Sequence, residues 1–271
     1  SGLALRQLLI GSEGSLGVVS RIRLKLQLRD RFKSVALLAL GSFAAAQGVL
    51  HLAREQAGFV PSALELMWAD FFHFATTHVS SPLEHNASFY LLIEGVGQDQ
   101  VDLDEAMLRF LERLLEQNLI SDGVVAKNDF EHRNLWKIRE ALAHHGKEFG
   151  PCFAVDLSLP LDQIENYFSA AEPLIARSGS GRTARFGHLA DGNIHFLVGA
   201  NGDVEHLKLA LSKLAVELGG SFAAEHGIGA TKKHLLSLRR SEIELTLMRG
   251  IKSAFDPAGI LQRSRCYDKQ K

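Results

Sequence analysis

The sequence predicts an α+β fold: an antiparallel sheet covered by helices. Three observations carry that prediction. Short runs rich in apolar and β-branched residues recur along the chain and read as strands. Stretches of helical period fall between some of these runs and not others, so strands follow one another in hairpins and crossovers without a regular βαβ alternation. Of the 271 residues, 46% are apolar, which is ample for a packed core. No internal repeat and no low-complexity linker is visible.

Each element follows from its own stretch. Gln7 to Leu28, QLLIGSEGSLGVVSRIRLKLQL, is an apolar run, a glycine-rich turn and then a strict alternation, hence strand, loop, strand. The same alternation is expected to persist in SVALLAL, and Ser42 suits the N-cap of a helix running to Gln56. ALELMW and ASFYLLIEG read as strands. Helices are predicted over Asp102 to Gln117, Glu131 to Lys147, Asp162 to Arg177 and Val204 to Leu218. Strands are predicted at VVAKN, CFAVDLSL, both arms around Asp191-Gly192, and GGSFA. Two last helices run from Thr231 to Leu238 and from Glu242 to Phe255, the second stopped by Asp256-Pro257. Residues 1–30 hold strands and a glycine loop with no helix to cover them, too little to bury a sheet alone. They are expected to close a larger domain, with residues 31–271 forming a second one; a start at Ser1 rather than Met fits a fragment.

Composition excludes several classes. A net charge of −1 gives no electrostatic footprint for nucleic acid. No apolar stretch approaches the ~20 residues needed to cross a bilayer, and no signal peptide opens the chain, so a soluble protein is expected. Two cysteines, Cys152 and Cys266, are too few for a disulfide framework and lack metal-site spacing, which predicts reduced thiols and a cytoplasmic location.

The chemistry concentrates in two segments. Gly187 to Phe196, GHLADGNIHF, carries the strongest hairpin signal. An Asp-Gly pair between strand formers predicts a two-residue type I′ turn, which sets Ala190 opposite Asn193, Leu189 opposite Ile194 and His188 opposite His195. The imidazoles would then be cross-strand neighbours roughly 5 Å apart at Cβ, a spacing suited to one metal ion or to two ordinary hairpin histidines. GGSFAAEHGIGATKKHLL, from Gly219, supplies a third candidate ligand, Glu225, beside a base, His226. Two histidines and a carboxylate form a set that leaves a coordination position open for substrate or water. GSEGSLG, from Gly11, reads as a phosphate cradle or a tight inter-strand turn. Arg139, on a predicted helix, offers a planar fork to an anionic substrate or to solvent.

IGSEGSLG, LWKIRE, VDLSLP, GHLADGNIH, AAEHGIGATKK and IKSAFDPAGIL, in this order, resemble the flavin-linked D-2-hydroxyacid dehydrogenases of the vanillyl-alcohol-oxidase superfamily. The nearest likeness is to the D-2-hydroxyglutarate and D-lactate enzymes. The resemblance implies that residues up to about Leu28 end an FAD-binding domain and that the rest is a substrate-binding cap with a ferredoxin-like antiparallel sheet. It places metal ligands on His188, His195 and Glu225, the general base on His226, and substrate contacts on Asn193, Arg139 and His226. Ile10, Gly11, Ser12, Gly14 and Gly17 fall on the loop that lies against FAD. The implied reaction oxidises a 2-hydroxyacid held by a divalent metal, zinc by preference, with hydride passing to FAD and then to an unidentified electron acceptor; a homodimer is expected. A threonine and a lysine that help hold a second carboxylate fall on Ala143 and Ala154, which puts hydroxyglutarate specificity in doubt. A terminal Asn-Pro-Gly motif is replaced by Gln262, Arg263 and Ser264. A metal-dependent hydrolase using the same ligands, and a non-catalytic subunit, are the alternative readings.

Overall fold

A computed structural model describes residues 2–263 apart from 180 and 201; Cys266 and Ser264 lie outside the described residues. Strands β1 (Phe32–Leu40), β2 (Val60–Trp68), β3 (Phe89–Gly97), β4 (Asp122–Val125), β5 (Cys152–Ser158), β6 (Thr183–His188) and β7 (Asn193–Gly199) form one sheet in the order β4-β1-β3-β2-β6-β7-β5. Every pairing is antiparallel. The helices are α1 (Arg6–Leu9), α2 (Phe43–Gln56), α3 (Ala69–Thr76), α4 (Gln100–Glu116), α5 (Asp129–Arg139), α6 (Ala141–His145), α7 (Ile164–Arg177), α8 (Val204–Glu217), α9 (Leu236–Arg239) and α10 (Glu242–Phe255).

Connectivity repeats where the residues do not. β1-α2-β2-β3-α4-β4 is a ferredoxin-like unit, and β5-α7-β6-β7-α8 repeats it, joined to the first through β2 and β6. The fourth strand of the second unit is reduced to one bridge between Ser158 and Ser221, which is all that forms of the predicted GGSFA strand.

The sheet is covered on both faces. Ala36, Leu38 and Leu40 pack with α2, α4, α7 and α8, while Val35, Leu37 and Ala39 pack with α3, α5 and α6. A strand buried on both sides reads as a continuous apolar run, which is why SVALLAL shows no polar alternation. Ser42 caps α2 by accepting the Ala45 N–H, and Ser241 opens α10 with a capping box completed by Glu244.

Three predicted segments differ, and one helix was not predicted. Val18, Ile22, Leu24, Leu26 and Leu28 are exposed, and no strand forms over residues 7–28, because among the described residues nothing pairs with that segment. The helix expected over Glu131 to Lys147 divides at Glu140 into α5 and α6; buried Leu135, Ile138 and Ala141 keep the helical phase across the break, so the pattern hides it. Thr231 to Leu238 is a 3₁₀ turn, Lys233–Leu235, followed by the short α9. Helix α3 is unforeseen, being eight residues long with no side-chain cap at Trp68 to announce it. Among the described residues no helix is long and apolar enough to cross a membrane.

Candidate active site and metal centre

The hairpin that carries both candidate histidines has a longer loop than its Asp-Gly pair predicts. Leu189 to Gly192 all lie between the strands, His188 pairs with Asn193, and Phe186 stands opposite His195. Two forces override the two-residue turn. Leu189 is buried in the core and its N–H donates to the Leu64 carbonyl at 2.9 Å, drawing it toward β2. Of the four loop residues only Gly192 has positive φ, at 71°, whereas a type I′ turn needs two such residues. The shift is two residues in register, so the face assignment survives: the His188 and His195 rings lie diagonally on one face, centroids 5.4 Å apart.

Glu225 reaches this face from the bend that follows the Ser221 bridge. Its Oε1 lies 3.0 Å from His188 Nε2 and 3.8 Å from His195 Nε2. One ligand atom from each residue falls within 4.8 Å of the others, so two imidazole nitrogens and a carboxylate oxygen converge as a single cation would require. Asn193 Nδ2 donates to Glu225 Oε1 at 3.3 Å, which brings the fourth predicted residue to the same point.

Two buried carboxylates that sequence reasoning missed hold these groups. Glu65 on β2 contacts His188 Nδ1 through Oε1 at 2.8 Å and accepts Arg139 Nε–H through Oε2 at 2.7 Å. Burial pushes the Glu65 carboxyl up, but His188 and Arg139 outweigh it and the net shift is downward. The hydrogen bond to Glu65 in turn raises the His188 pKa, while burial lowers that of His195. Asp156 on β5 accepts the backbone N–H groups of Glu225 and His226 at 3.4 and 3.2 Å and lies 3.5 Å from both His195 Nδ1 and His226 Nδ1. Burial works against the Asp156 charge, yet Lys232 and the His226 N–H hold the carboxyl below its usual value. Lys232 is tied down by Asp156 and by the Phe222 carbonyl at 2.7 Å. A signal for both acids existed: a lone carboxylate within an apolar strand, as in ALELMW and CFAVDLSL, is a buried charge that needs partners.

The remaining predicted residues lie around this centre. Arg139, at the end of α5, is mostly buried, with its guanidinium 4.5 Å from the Phe186 ring centroid. His226 is largely exposed, its ring 5.7 Å from that of His195. The loop from Ile10 through Gly11, Ser12 and Gly14 to Gly17 folds against the bend after His226. Ile10 is exposed, and Gly11 lies at φ 76°.

Residues 29–265 match the family described as FAD linked oxidases, C-terminal domain. The chain belongs to that family. This family member is 32% identical over 269 residues to the mitochondrial D-2-hydroxyglutarate dehydrogenase of Arabidopsis thaliana, and 33% identical over 269 residues to that of Bos taurus. Each alignment covers 96% of this chain, which spans about half the length of those relatives, 48% and 49%. Among solved structures, alkyldihydroxyacetonephosphate synthase superposes with a TM-score of 0.63 at 12% identity, over 100% of this chain and 51% of that one, a likeness of fold. The names of both relatives overturn the cytoplasmic expectation. Its basis, two reduced cysteines, reports a reducing environment and does not say which compartment supplies it.

Proposed function

We propose that this chain is the substrate-binding part of an FAD-linked dehydrogenase that oxidises a D-2-hydroxyacid to the 2-oxoacid. The observation that carries the proposal is the convergence of His188, His195 and Glu225 within 4.8 Å, with His226 adjacent, in a chain of this family. Residues 31–271 would form the substrate domain and residues 1–30 the end of an FAD-binding domain, a division supported by the start of the family match at residue 29.

His188, His195 and Glu225 would hold a divalent cation such as zinc, and Ile10 to Gly17 would face the flavin. When bound, the cation would grip the substrate carboxylate and 2-hydroxyl and lower the hydroxyl pKa, and the flavin would accept the hydride. The chain's own residues do the rest. Asp156 fixes the backbone of His226 and lies toward Nδ1, leaving Nε2 to take the hydroxyl proton, a step worth about 10² to 10⁴ in rate. Asn193 steadies Glu225 and offers an amide to the substrate. Arg139 keeps Nε on Glu65, and its remaining guanidinium N–H groups would be its donors to a substrate carboxylate. Membership in an FAD-linked family favours this reading over hydrolysis.

The test is anaerobic addition of D-2-hydroxyacids, with one and with two carboxylates, to the full-length holoprotein. Bleaching of the flavin absorbance, lost after chelation or in His188→Ala, is the expected result. Retained turnover in a metal-free protein refutes the metal's role, and no bleaching by any of the acids refutes the reaction.

A further inference from the structure

Resting on that reading, we propose that Glu13 is a positioning residue for His226: its carboxylate pins the bend that carries the base. Glu13 accepts the Ile228 N–H at 2.7 Å and the Gly229 N–H at 2.9 Å. Two successive backbone N–H groups closing on one carboxylate form an anion-holding concavity, here filled by the chain itself. Gly227 makes the approach possible. It lies at φ 70°, and a Cβ there would sit 2.6 Å from Glu13 Oε1.

From the opposite side, Asp156 accepts the N–H groups of Glu225 and His226. The four amides flanking Gly227 are thus divided between two carboxylates far apart in the chain. Within this chain the His226 side chain is 67% exposed and touches Asp156 through Nδ1 at 3.5 Å, so the bend and that carboxylate set its place. The position of its imidazole follows from the backbone of the bend.

Glu13 is itself held. It adopts left-handed backbone, φ 51°, which residues other than glycine, asparagine and aspartate seldom take. Lys252 on α10 anchors the loop by donating to the Ser15 carbonyl at 2.6 Å and the Leu261 carbonyl at 2.8 Å. In the proposed function this same loop faces the flavin, so Glu13 ties the flavin side of the site to its base.

The test uses the full-length holoprotein with three variants. Glu13→Gly removes the carboxylate and suits the local φ, Glu13→Gln keeps the shape without the charge, and Glu13→Asp keeps the charge. Hydrogen exchange over residues 225–230 reads the bend directly, and stopped-flow flavin reduction reads catalysis. Faster exchange is expected in Glu13→Gly and Glu13→Gln. The limiting reduction rate should fall roughly 10- to 100-fold, as misplacement of a catalytic group by about 1 Å costs, while the half-saturating substrate concentration moves less than about threefold. Glu13→Asp should recover part of the rate, and metal content should be unchanged. Wild-type exchange in Glu13→Gly, or a reduction rate within about twofold of wild type, overturns the role. If no D-2-hydroxyacid bleaches the wild type, the functional reading falls and this role with it; if the wild type bleaches and Glu13→Gly bleaches as fast, this role falls alone.

Discussion

Replacing Glu65 with glutamine should weaken metal binding without unfolding the protein. Glu65 is buried, and its two oxygens serve two donors, His188 Nδ1–H at 2.8 Å and Arg139 Nε–H at 2.7 Å. Glutamine keeps the volume, so no cavity opens, but it has one acceptor and one donor where the carboxylate had two acceptors. Arginine cannot surrender its proton, so the amide oxygen stays with Arg139 and the amide nitrogen faces His188. His188 then accepts at Nδ1 and carries its proton on Nε2, the atom 3.0 Å from Glu225 and the one a cation would need. Loss of such an outer acceptor costs about 10- to 100-fold in metal affinity. The rearranged buried donor costs roughly 1–3 kcal/mol of stability. Competition between the metal-stripped full-length protein and a chelator for Zn²⁺ measures the first, and thermal melting measures the second. An affinity within about twofold of wild type would show that Glu65 does not set the His188 tautomer.

Other outcomes follow from the same geometry. Gly187→Ala places a Cβ 2.2 Å from the Asn193 carbonyl oxygen and 3.0 Å from Ile194 Cα, both backbone of β7, so the hairpin must open. A destabilisation of about 1–3 kcal/mol in urea unfolding, with loss of bound metal, is expected, and wild-type values for both would contradict it. Asp256 is pulled from 3.8 down to about 2, first by its hydrogen bond to Lys252. Its folded pKa lies below the unfolded one, so its contribution is complete above about pH 4 and is lost as the pH falls toward 2. Melting temperatures over that window should fall less steeply in Lys252→Met than in wild type, and equal slopes would remove the clasp from the account. Ala154→Lys adds a cation beside the site on β5 and should raise kcat/KM for a two-carboxylate hydroxyacid about tenfold over a one-carboxylate one, measured by flavin reduction. An unchanged ratio would exclude that position from substrate selection.

Strand placement is legible in this chain because the central strands are apolar runs that only a sheet covered on both faces can bury, as in β1 and β3. That His188 and His195 share a face is legible for a different reason. Period-2 alternation assigns His188 and His195 to one face whatever the loop length, provided the register slips by an even number. The loop itself is not legible, since the pull of Leu189 into a distant core is invisible in DG. Nor is the meeting of Glu225 with the hairpin, which requires the fourth edge of the second unit to shrink to the Ser221 bridge and release the chain over the site. Glu13 was hidden by its distance of more than two hundred residues from the amides it holds.

On the proposed reading, the charges around the site bear on how a divalent ion and a monoanionic head group would fit it together. Glu65, Glu225 and Asp156 stand against Arg139 and Lys232, three carboxylates to two fixed cations. A divalent cation held there would more than offset the excess carboxylate, and one substrate carboxylate would balance what remains of its charge, in a partly buried setting where unpaired charge is costly. A second carboxylate on the substrate would leave an unbalanced negative charge. Ala154 and Leu197, on the site face of β5 and β7, carry no charge themselves, although Ala154 shares a cavity with Lys208 and Lys232. On the proposed reading, a preference for a two-carboxylate substrate would draw on cations other than those that Ala154 and Leu197 could supply, which is what Ala154→Lys tests.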